Sequence, residues 1–435
     1  MVELNQISLP VDMLPKMWYN VGADLPEPLP PPKEPEDGGP SRMEFLGRTM
    51  VGECLRQEMS SERWMAIPEE IRELYLQAGR PRPLYRARRL ERQLGLKKVR
   101  LYYKREDLSP TGSHKVNTAL AQAYYAAKEG KTTLVTETGA GQWGSALSYA
   151  ARLMGLECVV FWVRAVYNWK SDRRTLMKLS GATVHASPSK ETRVGQGLLA
   201  QDANHPGSLG IAVSEGLEHA SGHEGNVYCL GSVLNHVLIH QSVIGLEAIE
   251  QFKLVDDEPD LVVGCLGGGS NFGGVALPFA GEVLRGQRKC EFLAAQSEAA
   301  PNLVKGKYMY DFGDVAEQTP LLKMFTLGHK AGMVPIRADG LRYHAAAPLV
   351  SALRATGLVK AVAYPADERV VFEAAKQFFQ CEGWLIAPES SYAVRAGIDE
   401  ALKAERTGEE KAILMNISGH GFLDLEAYRD KLNVQ

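Results

Sequence analysis

The sequence predicts an α/β protein made of two three-layer domains with mostly parallel sheets, and three observations carry that expectation. From Val99 onward, β-rich runs (VRLYYKR, TTLVTE, CVVFWV, ATVHAS, LVVGCLGG, EFLAAQS, AILMNIS) alternate with helical runs such as LSYAARLMG and RRTLMKLSG. That order covers parallel strands with helices on both faces. A chain of 435 residues is too long for one ordinary core. Several β-rich runs are followed by loops rich in glycine, and in open sheets of this kind ligands sit beyond the carboxyl ends of the strands.

Composition narrows the function classes. The net charge of -3 and the 23% of charged residues give no basic surface for nucleic acid or an anionic membrane. No apolar stretch approaches the length of a membrane span, and MVELNQISLPVD lacks the basic start and apolar run of a signal peptide, so the expected location is the cytoplasm. The six cysteines (Cys54, Cys158, Cys229, Cys265, Cys290, Cys381) form no close pair and read as small hydrophobes, not as a zinc or redox motif. His236 and His240 have a spacing that can serve a metal, but no HExxH glutamate accompanies them, and no metal ligand set is assigned.

In chain order, residues 1–80 form an extension of different composition. LPEPLPPPKEPEDGGPS, Leu25 to Ser41, is too rich in proline for helix or sheet and reads either as a mobile arm or as a strap packed on the body. Two helical stretches follow, MEFLGRTMVGECLRQEM and IPEEIRELYLQAGR, the second opening with Pro68 and two glutamates in its first turn. Arg80-Pro81-Arg82-Pro83-Leu84 ends it.

The segment from Lys104 to Gly144 organises the rest. Lys115 stands between the turn Thr111-Gly112-Ser113-His114 and the helical run VNTALAQAYYAAKEG. An amine at a helix mouth lies in positive potential, which lowers its pKa and favours attack on a carbonyl, so Lys115 can hold an aldehyde cofactor. A lysine taken alone would be read as a solvated surface residue. What changes the reading is TGAGQWG, which follows the strand TTLVTE and exposes backbone N–H groups to a carboxylate or phosphate. Glu137 ends that strand, where its carboxylate can point into the cleft. Farther on, Gly267, Gly268 and Gly269 bring N–H groups to a phosphate, with Ser270 and Asn271 adding side-chain donors at the start of the helical run FGGVALPFAGEVL. This loop has neither the GxGxxG fingerprint nor the GK[ST] ending of a nucleotide loop.

KRED, the SHK-x-N turn, ETGAGQ-x-G, GGGSN, ESS and N-x-SG together resemble the β chain of tryptophan synthase, a fold-type II pyridoxal phosphate enzyme, from about Pro83 to near the C-terminus. The long N-terminal region resembles the second, divergent group of such chains. The resemblance implies a catalytic α/β domain over residues 115–227 and a second over 81–114 and 228–435, which carries the phosphate loop. It implies pyridoxal 5'-phosphate bound by His114, Lys115, Asn117, Gly267, Gly268, Gly269, Ser270, Asn271, Glu389 and Ser418, with Ser418 at the pyridine nitrogen. Thr138, Gly139, Ala140, Gly141 and Gln142 would hold the amino acid's carboxylate, and Glu137 would face the indole N–H. A monovalent cation, a homodimer and an α subunit that supplies indole are further expectations. The family's histidine is replaced by Trp143, so no contact is carried over there.

The implied activity is β-replacement. Lys115 removes the Cα proton of serine, the β-substituent leaves, and indole adds to give tryptophan. A neutral hydroxyl at the pyridine nitrogen favours elimination over transamination. Two readings compete with it: a serine or threonine dehydratase on the same scaffold, and a regulatory β-like subunit. One departure concerns the substrate. Arg342 stands in Gly340-Leu341-Arg342-Tyr343 where the family has an aspartate that meets the serine hydroxyl. A guanidinium there either accepts a phosphate leaving group, which would make O-phospho-L-serine the preferred substrate, or points to solvent or pairs with Asp339.

Overall fold

The computed structural model describes residues 5–433. Two sheets carry the chain. The smaller has four strands, all parallel, in the order Thr183–Ser187, Glu157–Val163, Thr133–Thr138, Asn226–Tyr228. The larger has seven, in the order Gln6–Ile7, Leu84–Arg86, Val99–Arg105, Lys411–Ile417, Leu261–Cys265, Glu291–Ser297, Val359–Tyr364. Its last five strands are parallel, and antiparallel pairing is confined to the other edge, where Leu84–Arg86 runs against both of its neighbours. The period of two along central strands sends alternate residues to opposite cores. Leu101, Val263, Ile413 and Met415 face one, whereas Tyr102, Val262, Ala412 and Leu414 face the other.

The extension is part of the body. Gln6–Ile7 adds a strand to the large sheet, and Met17–Tyr19 pairs with Trp64–Ala66. Trp18 is fully buried and its Nε1 donates to Tyr75 Oη at 3.3 Å. Of the two readings of the proline-rich stretch, the packed strap is the one realised. Lys33 and Leu321 exchange two backbone hydrogen bonds of 2.9 Å, and Lys33 Nζ lies 4.4 Å from the centre of the Tyr310 ring. The partner of this strap is the hairpin Lys307–Asp311 and Leu322–Thr326, which the alternating pattern did not disclose.

Two further expectations differ locally. The stretch MEFLGRTMVGECLRQEM forms two helices, Arg42–Thr49 and Gly52–Glu58, because Met50 and Val51 are extended. The strand-like run WLIAP makes one isolated bridge, Ile386 to His420, before Pro388 opens the helix Pro388–Thr407. The six cysteines are free. His236 faces Glu58 at 3.0 Å, and His240 is held between Gln57 at 2.7 Å and Thr118 at 3.0 Å, which makes both histidines members of a packed polar interior. Among the described residues no helix is long and apolar enough to cross a membrane.

Candidate active site

Carboxyl ends of strands from both sheets open on one cavity of about 250 Å³. Lys115 is the residue that caps the helix Val116–Lys128, and its Nζ donates to Gly231 O and, at 2.7 Å, to Ser270 Oγ. Its pKa is lowered to about 8, and the leading cause is burial. The expectation had named the potential of the helix mouth; enclosure accounts for the shift instead. A fraction of the amine is therefore unprotonated near neutrality and able to act as a base or nucleophile.

Glu137, at the end of Thr133–Thr138, also lines the cavity. Burial pushes its carboxyl up to about 7 against the opposing pull of the Tyr228 hydroxyl, which donates to Glu137 Oε2, and of Lys115. Tyr228 was not singled out from the sequence. Its signal was its place on a short strand parallel to the Glu137 strand, with Val135 opposite it. Trp143 forms another part of the wall, its Nε1 donating to Thr136 Oγ1 at 2.6 Å. The neighbouring wall is apolar and includes Leu46, Met50, Leu55, Val213 and Leu217.

Thr138, Gly139, Ala140 and Gln142 line the cavity where the helix Gln142–Met154 begins, so a helix N-terminus with its unpaired N–H groups faces it. Gly141 does not line it. With φ of 91° it makes the turn into that helix, and a Cβ there would lie 2.6 Å from the Trp162 ring. The Gln142 side chain donates to Glu389 Oε2 at 3.1 Å, while Gly340 N donates to Glu389 Oε1 at 3.0 Å. Glu389 is thus fixed from two sides.

Gly267, Gly268, Gly269, Ser270 and Asn271 form the opposite end, at the start of the helix Ser270–Leu284. A Cβ on Gly268 would come within 2.6 Å of Ser232 Oγ, so the loop has room for a bare backbone only. Asn271 presents no free amide: Nδ2 donates to Cys265 O at 3.1 Å and Oδ1 accepts from Asn416 Nδ2 at 2.6 Å. His114 lines the cavity beside Lys115, its ring nitrogens 3.0 Å from Ser270 Oγ and 3.2 Å from Ser418 O, and burial lowers its pKa to about 3. It is neutral, and it braces the loop. Ser418 lines the cavity, with its hydroxyl 2.8 Å from Ser390 Oγ.

Besides Gly141, two expected contacts are absent from the cavity wall. Asn117 is buried behind it, accepting from Arg80 at 2.9 Å and Arg82 at 3.2 Å and donating to Glu106 at 3.1 Å and Gln241 at 2.9 Å. With every partner supplied by the protein, it supports the Lys115 turn from below. Arg342 points to Asp339, with Nη2 3.4 Å from Oδ1, and it is Asp339 that lines the cavity. A phosphorylated aldehyde fits this donor set. An amine of lowered pKa, a glycine loop at a helix N-terminus and a serine all line one cavity.

The sequence pattern described as "Pyridoxal-phosphate dependent enzyme" matches residues 75–419, and this defines the class. Curated proteins named "Tryptophan synthase beta chain 2" are similar over nearly the whole chain. That of Pyrococcus abyssi is 54% identical, covering 98% of this chain and 96% of its own. That of Methanothermobacter thermautotrophicus is 51% identical, covering 99% of each chain. The chain belongs to the tryptophan synthase beta chains within the pyridoxal-phosphate-dependent enzymes. Among solved structures, a fungal L-serine ammonia-lyase from Rhizomucor miehei aligns with a TM-score of 0.58 at 17% identity over 80% of this chain and 98% of its own. Maize serine racemase aligns with a TM-score of 0.56 at 18% identity over 83% and 98%. These two likenesses bear on the fold alone.

Proposed function

We propose that this chain joins indole to L-serine, or to O-phospho-L-serine, by β-replacement to make L-tryptophan. The observation that carries the proposal is the convergence of the Lys115 amine and the Glu137 carboxyl on one cavity, with an apolar wall on one side and the Gly267–Gly269 loop on another. The chemistry that pyridoxal phosphate supplies when bound is an electron sink for the bond to the Cα proton. Gly267, Gly268, Gly269 and Ser270 would hold its phosphate, and Ser418 its pyridine nitrogen.

Lys115 takes the proton from Cα and returns it at the end, a role suited to an amine whose pKa is about 8. The N–H groups at the start of Gln142–Met154 receive the substrate carboxylate. Glu137 accepts the indole N–H and stabilises the positive charge that grows there as indole C3 attacks. Leu46, Met50, Leu55, Val213 and Leu217 exclude water and offer the surface that an indole ring requires. The pairing of Arg342 with Asp339 favours serine over its phosphate ester.

The reading extends to a homodimer in the cytoplasm, a monovalent cation near the Gly267–Asn271 loop, and an alpha-type subunit as the source of indole. Membership in the beta-chain family supports these parts. Serine and indole supplied together should give tryptophan, and serine alone should give slower formation of pyruvate that indole suppresses. Pyruvate formation indifferent to indole would instead identify a dehydratase.

A further inference from the structure

Asp339 is a carboxyl group without an assigned task. It lines the cavity, it is 5% exposed, and its Oδ2 accepts no hydrogen bond. Two cations hold it from outside the cavity: Arg342 Nη2 at 3.4 Å from Oδ1 and Lys170 Nζ at 3.7 Å from Oδ2. Lys170 is anchored in turn by Asp424 at 3.0 Å, which also pairs with Arg173 at 2.6 Å. The next residue, Gly340, is tied to Glu389, so the backbone bearing Asp339 is fixed against the site. With Arg342 facing one oxygen and Lys170 the other, the carboxyl is held in place by cations in the wall of a substrate cavity, where a reacting partner can meet it.

We infer that Asp339 is the catalytic acid that protonates the departing β-hydroxyl of serine, and that Lys170 and Arg342 are positioning residues which hold it. The inference rests on the β-replacement reading. As Lys115 Nζ takes the Cα proton, the electron pair of that bond forms the second Cα–Cβ bond. The Cβ–O bond breaks with its electrons on oxygen, the Asp339 proton joins that oxygen, and water leaves. When indole C3 bonds to Cβ, the C3 proton is released and Asp339 regains one through solvent. The sum is serine plus indole giving tryptophan plus water.

The surroundings suit the task. Burial raises the Asp339 carboxyl to about 7, with Glu389 and Glu368 pushing in the same direction and Lys170 and Arg342 opposing. The acid form is therefore populated near neutrality, and the anion left after transfer finds two cations beside it.

The test compares L-serine, whose hydroxide must be protonated to leave, with β-chloro-L-alanine, whose chloride leaves without a proton. Asp339→Asn holoenzyme should lose roughly 100-fold or more in kcat for tryptophan formation from serine and less than about 5-fold from β-chloro-L-alanine, within the range general acids contribute. Equal losses with both, or no loss with serine, would overturn the assignment. A second measurement needs no variant. In the native holoenzyme the ratio of serine to chloroalanine turnover should fall about tenfold per pH unit above neutrality, because groups used with both substrates cancel and only the acid is titrated. A ratio flat between about pH 6 and pH 9 would overturn the assignment as well. Tryptophan from neither amino acid would instead remove the β-replacement reading on which it stands.

Discussion

Replacing Glu137 with glutamine keeps the shape of the side chain and removes its charge. The carboxyl rises from 4.5 to about 7 in the folded protein, chiefly through burial, so ionising it there costs about 3 kcal/mol more than in the unfolded chain. The direction follows from proton binding. Between the unfolded and folded pKa values the native state holds more protons, so native stability from this group falls as pH rises through that window and levels off above about 7. Glutamine carries no such penalty. Glu137→Gln should match the native protein near pH 4.5 and gain on it as pH rises, by up to about 3 kcal/mol above neutrality. Its catalysis should move the other way. Indole addition should slow by roughly 10² to 10³, the usual loss when one preorganised electrostatic contact to a transition state is removed, while serine consumption without indole stays within a few-fold. Thermal unfolding across pH and rapid-mixing measurement of the two half-reactions supply the readouts. A variant less stable at high pH, or equally slow in both halves, would refute the reasoning and make Glu137 a structural residue.

Lys115→Ala should leave a folded protein with no measurable tryptophan formation and without the visible absorbance of a cofactor held through a lysine, checked by one spectrum and an end-point assay. Glu106→Gln should destabilise by about 3–5 kcal/mol in a denaturant titration, because Arg80 and Arg82 would lose a fully buried carboxylate that lies 3.0 Å and 2.5 Å from them. Truncation before Met43 removes buried Trp18, two strands and the Lys33–Leu321 pair, and should lower the melting temperature by far more than a few degrees. An unchanged melting temperature would mean that the extension contributes nothing to the body.

Much of the fold was legible because its causes are local. Each β-rich run named from Val99 onward is a strand of one of the two sheets, since β-branched and aromatic clusters bounded by helical runs leave few alternatives. Glu137, the Gly267–Asn271 loop and Ser418 line the cavity from strand ends, which the topology brings together, and Lys115 and Glu389 line it from the starts of helices. Residues whose partners lie far away in sequence were harder to read. Asn117 is two positions from Lys115, yet its amide is occupied by Arg80, Arg82, Glu106 and Gln241, which no pattern along the chain discloses. For Arg342 the sequence left two readings, and the pair with Asp339 is the one realised; the short helical turn Asp339–Leu341 decides that the aspartate, not the arginine, meets the cavity. Tyr228 was missed for the same reason: its hydroxyl serves Glu137 from a neighbouring strand of the small sheet, 91 positions away.

The most direct test supplies the native holoenzyme with indole and serine labelled with carbon isotope, and follows the label. The account predicts tryptophan that carries the serine carbons in its side chain, formed one for one with the indole consumed. Label recovered in pyruvate at a rate that indole does not change would contradict it.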